Sequence, residues 1–297
     1  MWREDSELLS LHEAELAATS RFWSQLMVPS GDMKSVLLAN DSYFSYLLAR
    51  PYMEANADLI SRVVLSNRTT GSLKRLRSIY EKTHLRYFVY RGLIEVGPKL
   101  HPGLRGQTIG RLAAELGLPV TVEWNINRAI KDAPESFEAD VALAFNLDQI
   151  VTDDLIGCFE HGVVNVHASK LPQDKGVSPV LWAFARGEDT LWVTIYKMDA
   201  GIDSGPILDQ FTVPVERGDT AFSAYVRVCQ SAGERLTEVI SMLGEGILEA
   251  RPQVADENAV YWSWPDALHR RMMRTSRRRF ISPGDLVRWS SLDRKRA

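Results

Sequence analysis

Asp140-Val141-Ala142-Leu143-Ala144-Phe145 is an apolar run behind a single acid, closed by Asn146. It is too short for a stable helix and shows no polar alternation, which suits a strand buried on both faces of a parallel sheet. Upstream, Ser35–Asn40 (SVLLAN) has the same character, and Arg62–Leu65, Arg86–Tyr90 and Val120–Trp124 read as further strands. Helical patterns separate them at Ser42–Ala55, Thr70–Thr83 and Arg105–Leu116, the last closed by Gly117. Downstream come a helix at Asp153–Cys158, strands at Val163–His167 and Leu191–Lys197, and a helical stretch from Asp219 to Gly246. Strands alternating with helices imply βαβ units, so the expected class is α/β, a Rossmann-like doubly wound, mostly parallel sheet.

Three segments are expected. Residues 1–32 form an N-terminal helical extension, with Leu8, Leu9, Leu11, Leu16, Phe22, Trp23 and Leu26 near helical spacing before Pro29-Ser30-Gly31 breaks the pattern. Residues 33–215 form the catalytic domain. Residues 216–297 supply C-terminal helices and a tail without a clear barrel domain. The tail carries Tyr261, Trp262 and Trp264, then a basic run of Arg270, Arg271, Arg274, Arg277, Arg278 and Arg279. The aromatics are expected to anchor the tail on the main domain.

The composition is that of an ordinary globule: 45% hydrophobic, 25% charged, net charge −3. That balance calls for neither nucleic acid nor a membrane as partner, and no apolar run approaches the ~20 residues of a membrane helix. The N-terminus lacks an apolar signal-peptide core, and Cys158 and Cys229 are too few for a disulfide framework and lack metal-ligand spacing. A cytoplasmic protein without a metal is expected, with a homodimer as the default assembly.

The chemistry gathers in two motifs, Asn165-Val166-His167-Ala168-Ser169-Lys170-Leu171-Pro172 and Gly201-Ile202-Asp203-Ser204-Gly205. Asn165 and His167 are two apart, so a strand points both to one face. Asp203 follows His167 by 36 residues on a Gly-flanked loop able to fold over that face. An amide suits a carbonyl oxygen turning negative, an imidazole titrates near neutrality, and a carboxylate can partner the imidazole directly or through water. Together they fit acyl transfer to an amine, with no nucleophilic side chain required. Ser169 qualifies by residue type alone, since no nucleophile elbow surrounds it.

N-x-H-x-S-x-L-P-x-x-K-G from Asn165, then Pro179, Trp182 and Ala183, then Val193-Thr194-Ile195 and Gly201–Ile207 as G-I-D-S-G-P-I, resembles the folate-dependent formyltransferase family. The resemblance runs from about Ser35 to Gln253 and is densest between Asp140 and Leu208. It implies the formyltransferase fold, N10-formyltetrahydrofolate as co-substrate, and Asn165, His167 and Asp203 as the catalytic trio. It also implies that Leu147, Asp148, Gln149, Ile150 and Val151, with Asp199, Gly201 and Ile202, enclose the pterin. The acceptor side then falls to Ser169, Pro172, Lys175 and Gly176.

Two departures bear on the acceptor. The first strand ends Ala39-Asn40-Asp41 without the Gly-rich turn that cradles phosphate in the glycinamide ribonucleotide branch, and the small barrel of the tRNA branch is missing. A small-molecule amine acceptor is therefore expected: an amino sugar, a nucleotide-linked amino sugar, an amino acid or a carrier-bound amine. The alternatives are methionyl-tRNA formylation, with the arginine run meeting phosphates, and formyltetrahydrofolate hydrolysis. A non-catalytic module fits poorly with an intact trio.

Overall fold

The computed structural model describes residues 33–67, 80, 81, 83–100 and 107–285. The expected helix of residues 1–32 and nearly all of that at Thr70–Thr83 lie outside the described residues. In chain order the strands are β1 Ser35–Asn40, β2 Ile60–Ser66, β3 Val120–Glu123, β4 Val141–Phe145, β5 Val163–His167, β6 Asp174–Gly176, β7 Thr190–Lys197, β8 Ile207–Pro214 and β9 Val260–Trp262. The α-helices are α1 Tyr43–Ala55, α2 Leu85–Leu100, α3 Ile109–Glu115, α4 Ile126–Asp132, α5 Asp153–Ile156, α6 Pro179–Arg186, α7 Ala221–Gly244 and α8 Ala267–Thr275.

Seven strands form one sheet in the order β3-β2-β1-β4-β5-β7-β8. The first five are parallel, while β7 runs antiparallel to β5 and β8 antiparallel to β7. Alternate side chains on the central strands enter opposite cores, as the pleat requires. Leu37, Val63, Leu143 and Val164 join one face with α1 and α7; Val36, Leu38, Val64, Ala142 and Ala144 join the other with Ile126, Ile130 and Leu155. Every residue of β4 is buried, so the sheet is doubly wound as its apolar run implied. The long helix α7 shares a core with β1 and α1, which packs the chain beyond residue 215 onto the sheet.

The Arg86–Tyr90 segment is not a strand but the first part of α2. Its aromatic, β-branched run mimics a strand, yet Tyr87, Tyr90 and Ile94 are buried at helical spacing while Leu85, Val89 and Leu93 stay exposed. The remaining sequence-derived strands are present. Elements without a sequence forecast are α4, α6, α8 and the strands β6, β8 and β9. β6 and β9 pair with each other in a small parallel ribbon outside the main sheet.

Candidate active site

Asn165 and His167 project from β5 to the same face, near the carboxyl end of the parallel strands where open α/β sheets bind ligands. Asp203 joins them from the β7–β8 loop in a left-handed conformation at φ 50°. An aspartate tolerates that region better than most residues. The loop turns tightly at Gly205, where a Cβ would stand 1.8 Å from the Lys197 carbonyl oxygen. Asp199 Oδ1 accepts from the Gly201 N–H at 3.1 Å and the Ser204 hydroxyl at 2.7 Å, and Gln253 Nε2 donates to the carbonyls of Asp203 and Gly205 at 3.2 and 2.8 Å.

His167 Nδ1 lies 3.6 Å from Asp203 Oδ1, beyond a direct hydrogen bond. Nε2 is 3.1 Å from the carbonyl oxygen of Asp174. A carbonyl can only accept, so Nε2 carries the proton and the neutral ring turns its Nδ1 lone pair toward Asp203. Burial pushes the imidazole pKa below its usual 6.5, and this outweighs the pull of Asp203 in the opposite direction. The Asp203 carboxylate is held by other donors: Tyr196 Oη reaches Oδ1 at 3.0 Å and the Gly176 N–H reaches Oδ2 at 2.9 Å. Asn165 Oδ1 accepts from the Val166 N–H at 2.9 Å, and one Nδ2 proton goes to Tyr196 Oη at 3.1 Å. The second Nδ2 proton remains available to an acceptor in the site.

The acceptor-side residues fall on the β6–β9 ribbon and the turn before it. The buried Ser169 hydroxyl donates to the same Asp174 carbonyl that holds His167, so its proton is committed. Pro172 follows a cis peptide bond. Gly176 sits at φ 99° against Trp262, whose carbonyl oxygen would meet a Cβ at 2.3 Å; only glycine brings this N–H to Asp203. Lys175 stands opposite Tyr261, which is 57% exposed. Trp262 stacks on Trp182 at 4.6 Å, Arg186 lies 5.0 Å above its ring, and its indole N–H donates to the Asp174 carboxylate. Arg186 binds the other oxygen of that carboxylate at 3.1 Å.

Of the residues expected around a pterin, Asp148 and Gln149 use their side chains on structure. Asp148 Oδ1 accepts from Ser66 Oγ at 2.6 Å; Gln149 bridges Ser66 Oγ at 2.9 Å and the Ile126 N–H at 3.1 Å, at the start of α4. Val151 is buried. Ile150 from the β4 loop and Ile202 from the β7–β8 loop are 76% and 55% exposed. Leu147 and Met198, at the bases of these loops, pack on the same core.

Tyr196, Asp174 and Gln253 were not foreseen. Tyr196 had a signal, since it lies within the forecast strand at 191–197, but its role needs the cross-strand register that sets it opposite Asn165. A separate cavity of about 500 Å³ between α2 and the Arg270–Arg279 run contains none of the trio. Arg278 of that run pairs with Asp189 at 3.1 Å and lies 4.8 Å over Phe184.

Residues 112–240 match the model of the family described as formyl transferase. Among solved structures, glycinamide ribonucleotide transformylase 1 from Symbiobacterium toebii is similar at a TM-score of 0.53 and 18% identity, over 76% of this chain and 96% of that one. The N-formyltransferase from Helicobacter canadensis, in complex with folinic acid and dTDP-3-aminofucose, is similar at 0.51 and 19%, over 78% and 71%. The sugar 3N-formyl transferase WlaRD, solved with dTDP and 5-N-formyl-THF, is similar at 0.51 and 17%, over 78% and 70%. The matched residues include Asn165, His167 and Asp203, and the fold is that of these solved formyltransferase structures.

Proposed function

We propose that this protein transfers a formyl group from N10-formyltetrahydrofolate to the primary amine of a small biosynthetic metabolite, most specifically a nucleotide-linked amino sugar. The observation that carries the reading is the meeting of Asn165, His167 and Asp203 on one face of this fold, with one amide proton of Asn165 uncommitted. Bound between the β4 and β7–β8 loops, the folate supplies the formyl carbon that the neutral amine attacks. The free Nδ2 proton of Asn165 donates to the oxygen as it becomes negative, a contribution of several kcal/mol when prepositioned. His167 Nδ1, left unprotonated at neutral pH because burial lowers its pKa, takes a proton from the attacking amine. Asp203 stabilises the imidazolium so formed, and the proton returns to the departing N10. The formyl group thus moves from N10 to the amine as one proton moves the other way.

The nucleotide-sugar reading draws on the ligands of the two sugar enzymes above and on the end of β1. There Asn40 is bonded to the Asn146 carbonyl and to Ser45, and Asp41 Oδ1 accepts from the Gly110 N–H at 3.1 Å. Side chains, one of them acidic, fill the turn that would have to cradle a ribonucleotide phosphate. Formyl transfer from N10-formyltetrahydrofolate should be screened against nucleotide-linked and free amino sugars, amino acids, glycinamide ribonucleotide and initiator tRNA, with a no-acceptor control. Turnover with a nucleotide-linked amino sugar is expected. Activity confined to tRNA, or formate release independent of any amine, would replace the acceptor assignment.

A further inference from the structure

Tyr196 joins two of the three trio residues through one hydroxyl. Its oxygen accepts from Asn165 Nδ2 at 3.1 Å and its proton goes to Asp203 Oδ1 at 3.0 Å. The antiparallel register places Tyr196 directly opposite Asn165, so the contact is a cross-strand pair. The ring is 1% exposed and packs with Leu171 and Ile207. Burial, followed by the Asp203 charge, holds its phenol pKa far above 10, so the hydroxyl stays protonated and donates throughout the working pH range.

Each consequence concerns which hydrogen-bonding positions remain open. Asn165 has two amide protons and one oxygen. With the oxygen on the Val166 N–H and one proton on Tyr196, its amide plane is fixed and the remaining proton has one direction. Asp203 Oδ1 is the oxygen nearest His167 Nδ1, at 3.6 Å, yet its donor is Tyr196. Oδ2 is taken by the Gly176 N–H. The carboxylate is therefore drawn back from the imidazole, which keeps His167 available as a base rather than locked in an ion pair.

We infer that Tyr196 is a positioning residue for formyl transfer, acting through Asn165 to aim the oxyanion donor and through Asp203 to keep His167 from pairing with that carboxylate. The inference rests on the formyl-transfer reading for its kinetic consequence but not for its effect on His167. The groups facing the imidazole are Asp203, Asp174 and Lys175, and those facing the phenol are Asp203 and Asp199. Removing the hydroxyl frees Oδ1 to accept from a protonated Nδ1, so the His167 titration midpoint should rise by about one pH unit.

The test follows the His167 imidazole by NMR titration in the full-length protein and in Tyr196→Phe, alongside steady-state kinetics. The midpoint should move upward; kcat should fall about 10- to 100-fold with the KM for the folate within about twofold. On an Asn165→Ala background, Tyr196→Phe should cost less than it does in the wild type, because one of the two groups it positions is already gone while the Asp203 contact remains. Tyr196→Met, which also lacks a donor but packs differently, must reproduce the shift. An unchanged His167 midpoint, full additivity with Asn165→Ala, or disagreement between Phe and Met would overturn the inference. A wild-type enzyme without formyl transfer but with the shift would overturn the formyl-transfer reading instead.

Discussion

At the residue scale, the site separates a proton acceptor from the charge that stabilises it. On the proposed mechanism His167→Ala removes the base and should lower kcat by about 10²- to 10⁴-fold while the thermal midpoint stays near wild type. Asp203→Asn is the sharper probe, because asparagine tolerates the φ of 50° and keeps the side-chain shape. It removes the charge facing the imidazole and leaves Oδ1 able to accept from Tyr196, while its Nδ2 replaces the oxygen that accepts from the Gly176 N–H, so a loss of similar order is expected. Steady-state kinetics on purified variants check both; near-normal turnover in either would dismiss the trio. That Asn165 and His167 share a face was legible in a strand's two-residue period; the glycine-flanked loop only allowed Asp203 to join them, and the resemblance of the surrounding motif to the formyltransferases selected it. Tyr196 was not legible. Its chemistry depends on β7 running antiparallel beside β5, and nothing in Leu191–Lys197 records which strand it will face.

At the element scale, the ribbon of β6 and β9 connects the C-terminal tail to the His167 ring. The Asp174 carbonyl holds both His167 and Ser169, and the Asp174 carboxylate is held by Trp262 and Arg186. Trp262→Ala would remove the stack on Trp182, the Arg186 contact and the indole donor together. A loss of roughly 2–4 kcal/mol in stability is expected, with kcat lowered further than unfolding explains, since β6 then no longer fixes the His167 ring. Trp262→Phe keeps the stack and loses only the donor, so it should fold near normally and show the smaller kinetic defect. Equal kinetics for Phe and wild type would mean that the indole N–H does not matter to the ring. The aromatic tail was readable as an anchor, but not as a strand. Val260–Trp262 is three residues long, and its pairing partner lies over eighty positions upstream. The strand wrongly expected at Arg86–Tyr90 failed for the converse reason: its four aromatic and β-branched residues carry strand propensity, while tertiary burial of Tyr87, Tyr90 and Ile94 selects the helix.

At the scale of the whole molecule, a buried histidine chain ties α2, α8 and α6 together and sets how the fold responds to acid. The Tyr87 N–H donates to His84 Nδ1 at 3.2 Å, His84 Nε2 lies 3.5 Å from His269 Nδ1, and His269 Nε2 donates to the Leu181 carbonyl at 3.0 Å. The chain is satisfied only when both rings are neutral, because a second proton on either sets donor against donor. Burial lowers both pKa values; that of His269, wholly buried, falls to about 4, and Arg270 and Arg86 near His84 add to the effect there. A folded pKa below the unfolded 6.5 means that the unfolded chain binds more protons between the two values, so stability rises with pH across that window. The contribution of His269 is therefore complete above about pH 6.5 and is lost as pH falls toward 4. At about 1.4 kcal/mol per unit, it is of the order of 3 kcal/mol. Urea denaturation midpoints measured from pH 7.5 to 4.5 should decline steadily for the wild-type protein. His269→Gln, which keeps a donor for Leu181 but cannot titrate, should start lower at neutral pH and decline less steeply. Parallel curves for the two proteins would show that the acid sensitivity resides elsewhere, with His167 the next buried imidazole to replace.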